Sequence, residues 1–318
     1  MSFILRRVGI AVITLFLVSI LCFLVFNVIR GDTAATLGGM SVSLEQLAEL
    51  REDMGLNRNI FIRYFDWLFK FLSGNPGNSY SFRGEAISTL IAQRLPVTVS
   101  LALLSLFFIA IISFSVSLLT VKRKGNFVDT AVNIFTAAGI STPGFFLGLL
   151  FIFIFGFGFK LFLPGNFIDY RENFFGFIGY LFFPALAIAI PNSAVLIKFL
   201  RGSLFYELQS DYVRTARSKG AGRLYILRKH VLKNACLPAV TMLGIIIAEV
   251  FSGSIIIEQV FTIPGIGRLL IAAISSRDYP LIQALMLYIA FMVVAANTIA
   301  DIVIMSIDPR IKQTRNVR

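Results

Sequence analysis

Histidine occurs only once in the 318 residues, as His230, and cysteine twice, as Cys22 and Cys236. A single histidine excludes His-Glu-x-x-His zinc sites, histidine-based catalytic triads and histidine-rich metal relays. Both cysteines lie within or beside apolar runs, so no disulfide framework is expected and the redox compartment stays open. No Gly-x-x-x-x-Gly-Lys-Ser/Thr loop is present, so the chain does not bind ATP by that route. With no enzymatic constellation left, neither a cofactor nor a metal is expected, and any energy for work must come from another subunit or an ion gradient. Acidic residues are also scarce, 17 against 29 Lys and Arg, for a net charge of +12. Such a surplus can mark nucleic-acid binding. Here the basic residues gather in alternate loops between apolar runs, which is the pattern of membrane topology, and no nucleic-acid partner is expected.

What the chain has in abundance is apolar residues: 57% are hydrophobic and 33 are Phe. That is too apolar for an ordinary soluble domain and identifies an integral protein of the lipid bilayer. Six apolar runs, 8–26, 97–121, 131–159, 174–197, 235–257 and 281–305, are each long enough to cross about 30 Å of hydrocarbon. The first follows Arg6 and Arg7 and imitates a secretory signal. It exceeds a usual signal core and no small-x-small cleavage site follows, so it reads as an uncleaved span. The fold class is therefore an all-α polytopic membrane protein with six transmembrane helices. Residues 1–29 form a cytoplasmic N-terminus and first span, 30–96 an external segment, 97–305 the transmembrane core with a cytoplasmic loop at 199–234, and 306–318 a cytoplasmic tail. This arrangement places Lys122, Arg123, Lys124, the basic residues of the 199–234 loop, and Arg310, Lys312, Arg315 and Arg318 inside, with both termini cytoplasmic.

Within the external segment, Ser43-Leu44-Glu45-Gln46 has capping-box spacing and Gly55 is a stop. Residues 60–72 read as an aromatic-rich amphipathic helix carrying Phe61, Tyr64, Phe65, Trp67, Leu68 and Phe71. It is expected to lie in the interface, to form a docking surface, or to pack over the outer ends of the spans.

The polar interruption at 201–233 organises the rest. Its centre, Asp211-Tyr212-Val213-Arg214-Thr215-Ala216-Arg217-Ser218-Lys219-Gly220, has the marks of a short capped helix. Ser210 is the expected N-cap, Asp211 opens the first turn, Arg214, Arg217 and Lys219 lie towards the end, and Gly220 is a left-handed stop. Small residues at its centre, Thr215, Ala216 and Ser218, suit docking into a groove of another protein. A cytoplasmic loop would be basic in any case, but topology alone does not produce the caps and the small centre together. A second helical pattern follows with Leu224, Leu227 and Val231, and Leu237-Pro238 is expected to close it.

The run from Asp211 to Gly220 resembles the cytoplasmic coupling motif, the EAA loop, of the membrane subunits of ABC importers. Its form is similar to the branch that handles peptides, nickel chelates and opines; where the literal motif has Glu-Ala-Ala, this chain has Arg214, Thr215 and Ala216. Glu258-Gln259-Val260-Phe261-Thr262-Ile263-Pro264-Gly265-Ile266-Gly267, Arg277-Asp278-Tyr279-Pro280, Asn297, Asp301 and Asp308-Pro309-Arg310 extend the likeness over nearly the whole chain. The resemblance implies the type I ABC importer permease fold in a bacterial cytoplasmic membrane. It implies a second homologous permease subunit, two cytoplasmic P-loop ATPase subunits and an external solute-binding protein. Asp211, Tyr212, Arg214, Thr215, Ala216, Arg217, Lys219 and Gly220 would couple to the ATPase, and Glu258, Pro264, Gly265 and Gly267 would lie near the external gate. Di- or oligopeptides are the first cargo to consider, with a nickel chelate or an opine as alternatives.

Polar groups inside apolar surroundings are the candidates for lining the transport pathway: Glu249, Asn192, Asn297 and Asp301. Ionisable residues in a span usually face a bundle interior or a water-filled path. Glu249 reads as a pathway-lining residue or as a hydrogen-bonded structural acid, and Asn297 with Asp301 as interhelical bonding groups. Pro143-Gly144, Pro184 and Pro191 are expected to interrupt the third and fourth spans. A reading of another class is an ion-coupled secondary transporter with Glu249 and Asp301 as a proton relay; the absence of an evident internal repeat and the presence of the coupling motif stand against it.

Overall fold

Without water to satisfy backbone groups, a chain of this composition has helices or a closed barrel available to it. The computed structural model describes residues 2–29, 59–122 and 127–307, and these residues are helical apart from connecting turns and one isolated bridge, Asn78 with Ala86. In chain order the helices are α1 (Ser2–Ile29), α2 (Ile60–Leu72), α3 (Ile87–Lys122), α4 (Phe127–Ser141) and α5 (Gly144–Phe151), which continues as a π-helical segment, Ile152–Gly158. There follow α6 (Phe174–Glu207), α7 (Asp211–Ser218), α8 (Arg223–Ile226) with a π-helical turn at Leu227–Val231, α9 (Leu232–Val260), α10 (Ile266–Ser275) and α11 (Tyr279–Ile307). Five of them, α1, α3, α6, α9 and α11, are long and apolar enough to cross a membrane, and the pair α4 and α5 makes a sixth passage if counted together. The expected capping box at Ser43, the stop at Gly55, the basic Arg123 and Lys124, and the terminal Asp308-Pro309-Arg310 lie outside the described residues.

One interruption agrees with the sequence reading and several boundaries differ. The third run, 131–159, is interrupted at Pro143-Gly144 as the sequence suggests, and sharply: α4 and α5 meet at 103°. Pro143 is the cause, because its ring pushes Thr142 out of the helical region. The Thr142 hydroxyl then donates to the Ala138 carbonyl at 2.7 Å. Elsewhere proline does not break the helix. α6 runs through Pro184 and Pro191, α9 through Pro238, and α3 begins at Ile87 and contains Pro96, ten residues before the expected start of the core. Each of these prolines frees a carbonyl four residues earlier, and neighbouring elements accommodate it. Pro191 frees Ala187, and the space beside that carbonyl is kept open by Gly144, where a Cβ would lie 3.1 Å from the oxygen.

The chain divides into two compact units, Met1–Leu95 with Leu269–Val294, and Pro96–Arg268 with Ala295–Arg318. In the first, α2 packs on α1 through Tyr64, whose ring meets Phe16 and Phe23 edge-on and whose hydroxyl bonds Ser19 at 2.7 Å. Trp67 tilts against Phe23, and Phe71 against Tyr288 of α11. The amphipathic helix expected at 60–72 is thus present, capped by Asn59, whose side chain accepts from the Phe61 amide. It has three faces rather than two: the buried aromatic one, an exposed apolar one (Phe61, Phe65, Phe69 and Leu72), and a polar one (Arg63, Asp66 and Lys70). Where α11 begins, Asp278 is buried and accepts from the Ser79 hydroxyl, the Ser81 amide at 3.0 Å and the Leu281 amide at 3.3 Å, so one carboxyl group caps the helix and anchors the turn before α3.

In the second unit α6 is the central helix, packed by α4, α5 and α9. Its buried face sets the small residues Ala185, Ala187, Ala189, Ser193 and Ala194, which let neighbouring backbones approach, among larger ones such as Leu181, Leu196 and Leu200. At the closest crossing, a Cβ on Gly139 would lie 2.7 Å from the Ala194 Cβ. Arg201 of α6 pairs with Asp129 and Asn133 of α4 and stands over Phe205, locking the same two helices together at one end. Gly139→Leu should therefore wedge α4 from α6 and destabilise the protein by about 1–3 kcal/mol. The readout is a lower thermal midpoint in detergent, with Gly9→Ala as a control because a Cβ there meets nothing within 4 Å.

Candidate functional site

Two sites emerge, both in the second unit. The first is the turn that joins α9 to α10. A helix start buried away from water needs acceptors for its first amides. Here the hydroxyl of Thr98 accepts from the Ile266 amide at 2.9 Å and donates to Oε1 of Glu258 at 2.6 Å. Oε2 of Glu258 accepts from the Gly267 amide at 2.7 Å and the Arg268 amide at 3.2 Å. Glu258 is wholly buried, and its carboxyl group closes the start of α10. Gly265 and Gly267 follow from this. A Cβ at Gly265 would overlap the Glu258 carboxyl group, and one at Gly267 would overlap the Ile255 backbone. The sequence grouped Glu258, Pro264, Gly265 and Gly267 as one candidate set; Glu258, Gly265 and Gly267 meet at one point, and Pro264 lies in the turn between them.

The turn is held from a second side. Tyr180 of α6 donates to the Phe261 carbonyl at 2.7 Å and accepts from the Gly165 amide at 3.1 Å. Thr262 takes a left-handed backbone with φ 55, a conformation costly for a β-branched residue. Its hydroxyl donates to the Phe261 carbonyl and its own carbonyl accepts from the Arg268 guanidinium at 2.7 Å, which fixes that conformation. Thr98 and Tyr180 carry this network as much as Glu258 does. Sequence reading missed both, since a hydroxyl inside an apolar run gives no sign of what stands opposite.

The second site is α7. Its C-terminus is a complete Schellman arrangement: the Ala221 amide donates to Ala216 at 3.1 Å, the Gly220 amide to Arg217 at 2.9 Å, and Gly220 has φ +78. Ser210 occupies the N-cap position with an extended backbone and its carbonyl accepts the first helical amide, but its hydroxyl makes no capping bond. Val213 is buried and Tyr212 and Ala216 are half-buried against the chain's own core. Tyr212 donates to the Glu207 carboxylate at 2.6 Å, tying α7 to the end of α6; burial, and then that carboxylate, push its phenol above the ordinary value. Ala216 does not stand at the centre of an outer face, as the run of small residues suggested. It lies three residues after Val213 and four after Tyr212, on the one apolar side of the helix, and that side is turned to the core. The exposed residues are Asp211, Arg214, Thr215, Arg217, Ser218, Lys219 and Gly220. Thr215 and Ser218 bond back to the Asp211 and Arg214 carbonyls, which leaves a smooth face between the charges. After Gly220, Ile226, Leu227 and Val231 are the buried residues and Leu224 is exposed. The departure is confined to Leu224 in the first turn of α8; Leu227 and Val231, at the two ends of the π-helical turn, are both buried as expected. That turn runs directly into α9, so Pro238 does not close it.

The intramembrane candidates are dispersed. Asn192 donates to the Ile188 carbonyl of its own helix at 2.9 Å. Asn297 and Asp301 are half-buried on α11, where Asp301 interacts with a neighbouring group. Glu249 is exposed on α9 in a stripe with Thr241, Ile245, Ser252, Ile256 and Gln259, spaced by three and four residues.

Comparison with known proteins gives the same picture from another direction. Residues 111–313 match the family of binding-protein-dependent transport system inner membrane components, and residues 1–102 match the N-terminal region of such components. The chain belongs to this family of ABC importer permeases. A protein of Sinorhizobium fredii named as a probable peptide ABC transporter permease is 34% identical over 310 residues, covering 98% of this chain and 99% of the relative. The oligopeptide transport system permease AppB of Bacillus subtilis is 33% identical over 313 residues, covering 98% of this chain and 99% of the relative. The permease is thus a multi-pass inner-membrane protein with the type I importer fold. In it, Glu258→Ala should strand the Thr98 hydroxyl and the Gly267 and Arg268 amides and lower stability by about 1–3 kcal/mol. Glu258→Gln should recover part of that, and an unchanged thermal midpoint for the alanine variant in detergent would refute the role of Glu258 as the cap of α10.

Proposed function

We propose that the permease carries di- or oligopeptides, working with a second homologous permease, two cytoplasmic P-loop ATPases and an external solute-binding protein. Peptide cargo is supported by the names of its relatives over their full length; a nickel chelate or an opine is the alternative cargo. Both termini and the 199–234 loop are cytoplasmic in this reading, residues 30 to the start of α3 belong to the external side with α2 reaching along α1 into the outer part of the bilayer, and ATP is hydrolysed by the separate subunits.

The observation that carries the mechanism is the construction of α7. A helix closed by a Schellman turn, seated through Val213 and bonded through Tyr212 to Glu207, moves as one body with α6 and α8. Its outer face, Asp211, Arg214, Thr215, Arg217, Ser218, Lys219 and Gly220, meets the ATPase, while Tyr212 and Ala216 hold the helix to the permease. When ATP closes the ATPase pair, the groove carries α7 and the attached spans switch the pathway between inward- and outward-facing states, a rocking of packed elements. The turn at Glu258, Pro264, Gly265 and Gly267 serves as an external gate element, rigid because the Ile266, Gly267 and Arg268 amides at the start of α10 are all bonded. The exposed stripe around Glu249 lines the pathway, because polar groups on a span do not face lipid. Asn192, Asn297 and Asp301 stabilise the helices beside it.

In mild detergent a P-loop ATPase should co-purify with the tagged permease and be lost from Thr215→Trp, while membrane insertion stays normal and uptake of a labelled tripeptide falls to background. Tripeptide uptake that persists in Thr215→Trp with the ATPase still bound would overturn the docking assignment. Wild-type permease that comes out alone in several detergents would overturn the assembly.

A further inference from the structure

The first unit contains a cavity of about 470 Å³ among α1, α2 and α11, lined by Val12, Phe16, Phe71, Leu72, Leu287 and Phe291. We propose that this cavity binds an acyl chain of a membrane phospholipid as a resident ligand of the permease.

Depth is the first argument. Val12 to Ser19 occupy the middle of the apolar stretch Ile4–Phe26, so the lining lies about 10 Å or more from either end at 1.5 Å per residue. At that depth the surrounding medium is hydrocarbon. Chemistry is the second. A cavity water needs two to four polar partners, and the Ser19 hydroxyl is already spent on the Phe16 carbonyl and the Tyr64 hydroxyl, both at 2.7 Å. Tyr288 alone cannot hold water there. An empty apolar space forfeits the dispersion contacts of its whole lining, so an apolar occupant is favoured over water. Continuity is the third. Leu72 lines the cavity and is also 71% exposed, so the cavity opens onto the apolar outer face of α2, together with Phe65 and Phe69. A chain already immersed in the bilayer enters from that face without crossing water. Residues 30–58, which join α1 to α2 in sequence, interleave their apolar residues with charged and polar ones and offer no continuous apolar run to replace it.

Trp67, the only tryptophan, reports on the site, since its ring lies 6.0 Å from that of Phe71. The purified full-length permease chain in detergent, in which Trp67 is the sole tryptophan, is titrated with phosphatidylcholine brominated in its acyl chains while its emission is followed. The expected result is quenching that saturates at a single lipid per chain. In Val12→Phe with Leu287→Phe, displacing about two methylenes from the cavity should weaken this by about tenfold. Leu72→Gln, at the mouth, should also weaken it and serves where the filled variant does not accumulate. Quenching that never saturates and is the same in the variants would mean bulk lipid contact only and would overturn the proposal. So would emission quenched by aqueous acrylamide and not by brominated lipid, which would assign the space to water or to residues 30–58.

Discussion

Hydrocarbon offers no partner to a backbone amide or carbonyl, and the permease is arranged around that restriction. At the turn before α10 and at the bend between α4 and α5, a specific side chain takes over a bond that regular helix would have made. Glu258 and Thr98 accept the first amides of α10, and Tyr180 and Thr262 donate to the carbonyl at the end of the preceding turn. Thr142 bonds the last turn before the 103° bend. The irregular backbone before α10 is thus held by elements distant in sequence, α3 through Thr98 and α6 through Tyr180.

Close approach is the second consequence. Helices in lipid gain little from hiding apolar surface, because the lipid is equally apolar, so contact and backbone proximity hold them together. Gly139, Gly144 and Gly148 lie where α4 and α5 meet Ala194, Ala187 and Phe261, and each removes the one atom that would keep the partner away. The same logic governs Gly265 and Gly267, where the neighbour is the Glu258 carboxyl group or the chain behind it. These glycines work by absence of volume, whereas Gly220 works by its left-handed backbone.

Coupling between a soluble motor and a membrane pathway requires an element that is firm towards the spans and open towards the motor. α7 divides its residues in that way. Val213, Tyr212 and Ala216 turn to the permease, and charged residues with two internally bonded hydroxyls turn outward. The bond from Tyr212 to Glu207 ties α7 to the end of α6, as the proposed coupling requires.

Sequence alone determined the number of apolar runs, the position of α2 and α7, the left-handed stop at Gly220 and the family, because composition, period and capping are local properties that lipid and backbone chemistry enforce wherever the chain sits. It also grouped Glu258 with the glycines that surround it. Only the tertiary structure decided that Thr98 and Tyr180 complete that group, that Asp278 anchors the turn near Ser79, that Ala216 faces inward, and that Pro191 leaves α6 intact while Pro143 bends its span. Each of these depends on what an element distant in sequence supplies at that point: a donor, an acceptor or the missing volume of a glycine. A proline or a hydroxyl carries no record in the sequence of which of them it will meet.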